Sequence, residues 1–461
     1  MHLHDRSTEV LTEAVVRYAV ERMRMDPPPL DHPLPVEALR EAAGPTITSA
    51  GLGGLEALRI FEDVLAPACI SVDHPKFLSF VPAAPTEASI LFDLVVGASS
   101  VYAGSWLEGA GAIFADNDAL RWIADLAGLP TEAGGVFVSG GTAGNLSALV
   151  AARWRWRSRA EGGFDATRGV VIASSGAHSS VAQAARVMDA EVVLVPAGAR
   201  GEMRADALRS TIESLGDDRR RVFAVVATAG TTNVGVVDDL AGAADTAASL
   251  ATWFHVDGAY GGAALAAPSV RDRFDGIERA DSFIVDPHKW LFAPFDSCAL
   301  LYRDPNVARA AHTQHAEYLD VLHASDAVDE PWNASDYAHH LSRRARGLPL
   351  WFSLATYGTD AYVSAVETTL RVAREAARLV DETAFTELIL EPELSIVLFR
   401  RVGWTAGDYQ AWSDRELAAG RTFVVPTSWQ GETVLRFCIV NPRTTIEDIS
   451  SIVDSLGARP T

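Results

Sequence analysis

Seven short runs rich in β-branched and aromatic residues, separated by Ala-rich stretches of helical spacing, occupy the chain between about Gly135 and Tyr302. Nothing else in the sequence restricts the fold so strongly. Such alternation is the pattern of a mainly parallel sheet with helical crossovers on both faces, an α/β architecture. The runs are 135–138, 169–172, 191–194, 222–226, 253–256, 282–285 and 298–302. In open sheets of this kind ligands sit outside the carboxyl ends of the strands, so chemistry is expected just after each run.

Helical segments flank this centre. Residues 8–25 carry apolar positions at helical spacing before the breaker Asp26-Pro27-Pro28-Pro29, and a second helix is predicted over 52–65. After a polar stretch from His312 to His340, one long helix is predicted over 349–379. It leads to a small terminal unit with strands at 394–400 and 434–440 and a closing helix from Ile446. At 461 residues, 48% hydrophobic and 21% charged, the chain reads as a soluble globular protein with a sizeable core. Its net charge of −21 repels phosphate backbones and anionic lipid, which argues against nucleic acid and membrane as partners. Cys69, Cys298 and Cys438 are too far apart for a zinc spacing or a disulfide framework. No apolar run approaches the roughly 20 residues that span a bilayer, and no export signal is visible, so a cytoplasmic location is expected.

Chemistry is concentrated at five strand ends. Asp286-Pro287-His288-Lys289-Trp290 follows the run 282–285 and puts Lys289 where a buried amine loses its proton readily and attacks an aldehyde. Alone in a loop, a lysine is ordinarily just a surface residue. Asp257 ends the run 253–256 and precedes Gly258 and Ala259, which are small enough for a flat ring to approach the backbone. Its carboxylate can pair with a protonated pyridine nitrogen, although an aspartate before glycine is equally a turn residue. Ser139-Gly140-Gly141-Thr142 lies between the first run and an Ala-rich helix over 143–157, so amides, a hydroxyl and the helix dipole face one anion. Neither GxxxxGK[ST] nor GxGxxG occurs there. His178 can stack on a ring or cap the helix that Ser179-Ser180 open, and Thr228 is a ligand contact or a plain strand-end hydroxyl.

Ala177-His178-Ser179-Ser180, Trp253-Phe254-His255-Val256-Asp257-Gly258-Ala259-Tyr260 and Asp286-Pro287-His288-Lys289-Trp290 occur together in this order and spacing. On these segments the chain resembles the group II pyridoxal-phosphate-dependent amino acid decarboxylases, which include aromatic-amino-acid, glutamate, histidine and diaminobutyrate decarboxylases. The resemblance runs from His74-Pro75 to Leu435-Arg436-Phe437. It implies the type I fold of pyridoxal-phosphate enzymes and a small-molecule amino acid substrate. It also implies a homodimer whose active sites lie at the interface. The expected division is a helical dimerisation segment at 1–85, a large cofactor-binding domain at 86–350 and a small C-terminal domain at 351–461. Residue by residue, the resemblance implies pyridoxal 5'-phosphate held by Lys289 as a Schiff base, with Asp257 on the pyridine nitrogen and His178 stacked over the ring. Gly140, Gly141 and Thr142 match the phosphate turn, and Thr228, Ala259 and His288 match further cofactor contacts. Tyr318 matches a tyrosine on a mobile loop that protonates the substrate α-carbon. The implied catalytic set is thus Lys289, Tyr318, His178 and Asp257, with no metal.

Some stretches depart from the family pattern. The context His315-Ala316-Glu317-Tyr318-Leu319 is divergent, so Tyr318 is placed by its distance from Lys289. Residues 79–86 and 105–111 differ from the animal aromatic enzymes and leave the amino acid open, while Asn145 after the phosphate turn is closer to bacterial members. Three rival readings suit the same fold. An aminotransferase would break the α-hydrogen bond, and an aldehyde synthase of the family commonly carries phenylalanine in place of Tyr318. A non-catalytic binding protein on a decayed fold should show broken chemistry, whereas Lys289, Asp257 and His178 are all present.

Overall fold

The computed structural model describes residues 2, 4–159, 168–322 and 332–457. All seven runs are strands of one sheet: β1 (Gly134–Val138), β2 (Val170–Ser174), β3 (Glu191–Val195), β4 (Val222–Thr228), β5 (Trp253–Asp257), β6 (Ser282–Val285) and β7 (Cys298–Tyr302). Their order is β1-β7-β6-β5-β4-β2-β3. Strands β2 to β6 pair in parallel, and β7 runs antiparallel to both of its neighbours. Two reversals restore direction, so β1 points the same way as β6 and six strands bring their carboxyl ends to one edge. With one strand between them, the ends of β1 and β6 stand about 10 Å apart.

The central strands are apolar on both faces because both faces are covered. Phe254, Val256, Phe283 and Val285 pack into one core layer, and Val171, Ala173, Val226 and Ile284 into the other. Among the described residues five α-helices precede the sheet: α1 (Arg6–Met23), α2 (Val36–Ala43), α3 (Gly54–Ile60), α4 (Glu87–Ser99) and α5 (Trp106–Leu126). The first is started by Asp5, whose carboxylate accepts the amides of Ser7 and Thr8. The sequence reading lacked α2, α4 and α5. In α4 the run Ile90-Leu91-Phe92 followed by Leu94-Val95-Val96 is apolar almost all round, which hides the helical period. Helix α6 (Gly141–Ser158) follows β1, and α7 (Ser179–Val187) follows β2.

The predicted single helix over 349–379 is two helices, Leu348–Tyr357 and Thr359–Glu382. Gly358 between them has φ +77° and ψ 161°, a conformation that stops a helix and that glycine adopts without Cβ strain. Beyond lies a second, antiparallel sheet of β8 (Thr386–Leu390), β9 (Ile396–Arg401), β10 (Thr427–Trp429) and β11 (Glu432–Cys438), ordered β10-β11-β9-β8. The sequence reading anticipated β9, β11 and the closing helix Ile446–Ser455, but not β8 and β10, which keep much of their length half-buried or exposed. Among the described residues no helix is long and apolar enough to cross a membrane, and no group of three or more His, Cys, Asp or Glu is placed to hold a metal ion.

Candidate active site

The carboxyl edge of the large sheet opens into a cleft of about 290 Å³ that gathers the residues singled out from sequence: Ser139 to Thr142, His178, Thr228, Asp257, Ala259, His288 and Lys289. Strand β1 delivers the glycine turn. Gly140 stands before the first turn of α6 with φ +153°, and the amides of Gly141 and Thr142 belong to that turn, where no helical carbonyl is available to them. A Cβ on Gly141 would lie 3.2 Å from Ala259 Cβ and 3.3 Å from Asp286 Oδ2, so the small residues keep this floor open.

Strand β5 ends in Asp257, which is buried. Both carboxylate oxygens are engaged: Oδ1 accepts the amide of Ala259 at 3.1 Å and Oδ2 accepts Asn145 Nδ2 at 2.8 Å. His178 precedes α7 and accepts the Ser180 amide on Nδ1, so it caps the helix and also lines the cleft. Thr228, opposite Asp257 in the ladder, donates its main-chain amide to Asp238. Its hydroxyl is buried and, among the described residues, has no hydrogen-bond partner.

After β6 the chain makes one helical turn, Pro287–Trp290, that aims Lys289 back over the edge. Lys289 Nζ lies 2.8 Å from Asp286 Oδ2. The expectation of a readily deprotonated amine did not include this partner. Burial works against the cation, but the Asp286 carboxylate beside it, with Asp257 further off, outweighs burial and raises the ammonium above the ordinary lysine range. His288 is buried, with Nδ1 2.6 Å from the Ser297 carbonyl oxygen, and burial pushes its pKa down. Because β7 runs backwards, the segment entering it returns to the same edge, and Phe295 and Asp296 complete the wall. Arg346 holds Asp296 at 2.8 Å. Tyr318 falls within the turn Glu317–Leu322, and its side chain lies outside the described part of the structure.

Asn145, Ser180 and Asp286 line the cleft, and His255 touches Asn145; the sequence pointed to no part for them in the chemistry. Periodicity carried their signal. Asn145 is four residues beyond Gly141 on one helix, His255 is two before Asp257 on one strand, and Asp286 is three before Lys289 on one turn.

A lysine amine, a carboxylate suited to a ring nitrogen, an anion-facing turn and an unpartnered buried hydroxyl on one open floor fit an aldehyde-bearing aromatic phosphate. The comparisons agree. Residues 55–402 match the model of the pyridoxal-dependent decarboxylase conserved domain. The chain is 29% identical over 440 residues to an aromatic-L-amino-acid decarboxylase of Bacillus atrophaeus, covering 93% of this chain and 90% of that one. It is 32% identical over 397 residues to an L-2,4-diaminobutyrate decarboxylase of Rhizobium meliloti (strain 1021), covering 84% and 78%. The fold is similar to that of Oryza sativa TDC solved with PLP and tryptamine, with a TM-score of 0.90 over 99% of each chain at 24% identity. A family match over three quarters of the chain, on a fold whose strand ends present this donor set, places the protein in the pyridoxal-dependent decarboxylase family.

Proposed function

We propose that the chain decarboxylates an L-amino acid to the corresponding amine with pyridoxal 5'-phosphate, using Lys289, Asp257, His178 and Tyr318. The observation that carries the reading is the convergence of Lys289, Asp257 and the Gly140-Gly141-Thr142 turn on one cleft. Bound there, the cofactor supplies an electron sink for the charge left at the α-carbon when the carboxyl group departs as carbon dioxide. The protein's part is to hold, orient and move protons. Lys289 Nζ is the atom that would bond to the aldehyde once its ammonium has given a proton to solvent, a loss that Asp286 Oδ2 at 2.8 Å opposes. Asp257 would pair with the pyridine nitrogen and keep a proton on it, in a pocket sheltered from water where such a pairing counts most. His178 would stack on the ring, while Gly140, Gly141 and Thr142 would hold the phosphate with help from the helix dipole. Thr228, Ala259 and His288 complete the seat. Tyr318 delivers a proton to the α-carbon, which makes the product an amine.

The working unit in this reading is a homodimer with its sites at the interface. Exposed apolar side chains on the N-terminal helices, among them Val15, Val16, Phe61, Leu94 and Phe114, support it.

A panel of aromatic, acidic, basic and aliphatic amino acids, assayed for carbon dioxide and amine with the holoenzyme, tests the activity. One member should release both in equal amounts. Consumption of a keto acid instead, with no carbon dioxide, would mark an aminotransferase. Borohydride reduction followed by peptide mass spectrometry should find the pyridoxyl group on Lys289, and a label on another lysine would remove that assignment.

A further inference from the structure

One buried amide joins the two side chains proposed to meet the cofactor ring. Asn145, 1% exposed on α6, donates from Nδ2 to Asp257 Oδ2 and to Ser180 Oγ, each at 2.8 Å. Its Oδ1 lies 2.8 Å from His255 Nε2. The chain of contacts continues at both ends. Ser180 Oγ is 2.8 Å from His178 Nδ1, and Ser282 Oγ is 2.7 Å from both His255 Nδ1 and Trp253 Nε1.

Donors and acceptors follow by elimination. A carboxylate only accepts and an indole N–H only donates. Asp257 therefore takes an N–H of the amide, which turns the amide oxygen towards His255 and puts that ring's proton on Nε2. Burial pushes His255 down to about 4, so the other ring nitrogen is bare and accepts the Ser282 hydroxyl, whose oxygen accepts Trp253 N–H. At the opposite end the Ser180 main-chain N–H donates to His178 Nδ1 at 3.2 Å, which makes that nitrogen an acceptor. The Ser180 hydroxyl accepts from Asn145 and turns its own proton to the same nitrogen. The proton of His178 is thus on Nε2. Turning the Asn145 amide over would set its oxygen against the Asp257 carboxylate, so the chain has one direction.

We propose that Asn145 is a positioning residue whose single amide fixes the orientation of the Asp257 carboxylate and the tautomer of His178 together, before the cofactor arrives. The inference rests on the roles of Asp257 and His178 given above. It explains why a polar side chain is spent on the buried face of α6, one turn beyond the phosphate-facing glycines.

The test compares two ligands on the apoprotein: pyridoxal phosphate and its 1-deaza analogue, in which carbon replaces the ring nitrogen. The parent should bind the natural cofactor more tightly. Asn145→Ala frees Asp257 to turn away and should shrink that preference about tenfold, the scale of one hydrogen bond to a charged group, with deaza affinity little changed. If both ligands weaken equally and the ratio holds, Asn145 is merely structural and the proposal is overturned. Asp257→Ala separates the inference from the reading beneath it. An unchanged preference there removes Asp257 as the partner of the nitrogen and the inference with it. A preference lost in Asp257→Ala but kept in Asn145→Ala overturns the inference alone. Should Asn145→Ala not fold, the parent decides. Nitrogen-15 spectra of its histidines, assigned with His178→Gln and His255→Gln, should show both rings protonated on Nε2 and not on Nδ1; a proton on Nδ1 of either would overturn the directed chain.

Discussion

On the proposed assignment, Asp286 sets the protonation state in which Lys289 would meet the cofactor. An amine paired at 2.8 Å with a buried carboxylate is held as a cation, so capture of the aldehyde by the apoprotein should quicken as pH rises into the alkaline range. Removing the partner removes the upward push, and burial then pulls the other way. In Asp286→Asn the midpoint of that pH profile should fall by about one pH unit or more, read by stopped-flow absorbance. An unmoved midpoint would show that the carboxylate does not govern the lysine. Tyr318 can be tested at the same scale. Tyr318→Phe should still release carbon dioxide but lose most of its amine yield, with oxygen uptake, aldehyde and peroxide in its place; an oxygen electrode and an amine assay on one sample decide it. Lys289, Asp257 and the glycine turn were readable in the sequence because each follows an apolar run. Asp286 was not read as a partner, because the ion pair depends on one helical turn folding the chain back after β6.

At the scale of elements, α6 is closely constrained. A Cβ on Gly144 would come within 2.9 Å of Ile284 Cγ2 and 3.0 Å of Cys298 Sγ, so the helix lies directly on β6 and β7. Gly144→Val should cost about 1–3 kcal/mol through overpacking, visible as a lower denaturant midpoint. It should also weaken cofactor binding, since the same helix carries the glycine turn and Asn145. The seven central strands were legible to within a residue or two because burial on both faces writes them as continuous apolar runs. The break at Gly358 was not, since a glycine within a helical pattern reads equally as a tolerated interruption. Strands β8 and β10 escaped for the opposite reason: partial exposure leaves them no apolar run.

Across the whole molecule, apolar surface is unevenly spread. Leu91, Leu94 and Val95 on α4, Trp106, Leu107 and Phe114 on α5, and Val10, Val15 and Val16 on α1 are all exposed on the single chain. A second copy is the natural cover, and light scattering at assay concentration should give twice the chain mass; an active monomer would contradict it. Sequence alone predicted the dimer by resemblance but could not say which faces lack cover, because exposure is a property of the packed chain. The residues proposed to seat the cofactor come from the ends of β1, β2, β4, β5 and β6 and from α6, whereas Phe295 and Asp296 come from the loop entering β7. Gly141 and Asn145 share a helix, so the spacing between the two ends of the seat is set by backbone rise, about 6 Å over four residues. The two halves of the cleft can therefore diverge at different rates. Loops that meet the amino acid are free to be rewritten by descent or by design while the cofactor stays where it is, so one chassis can serve many amines.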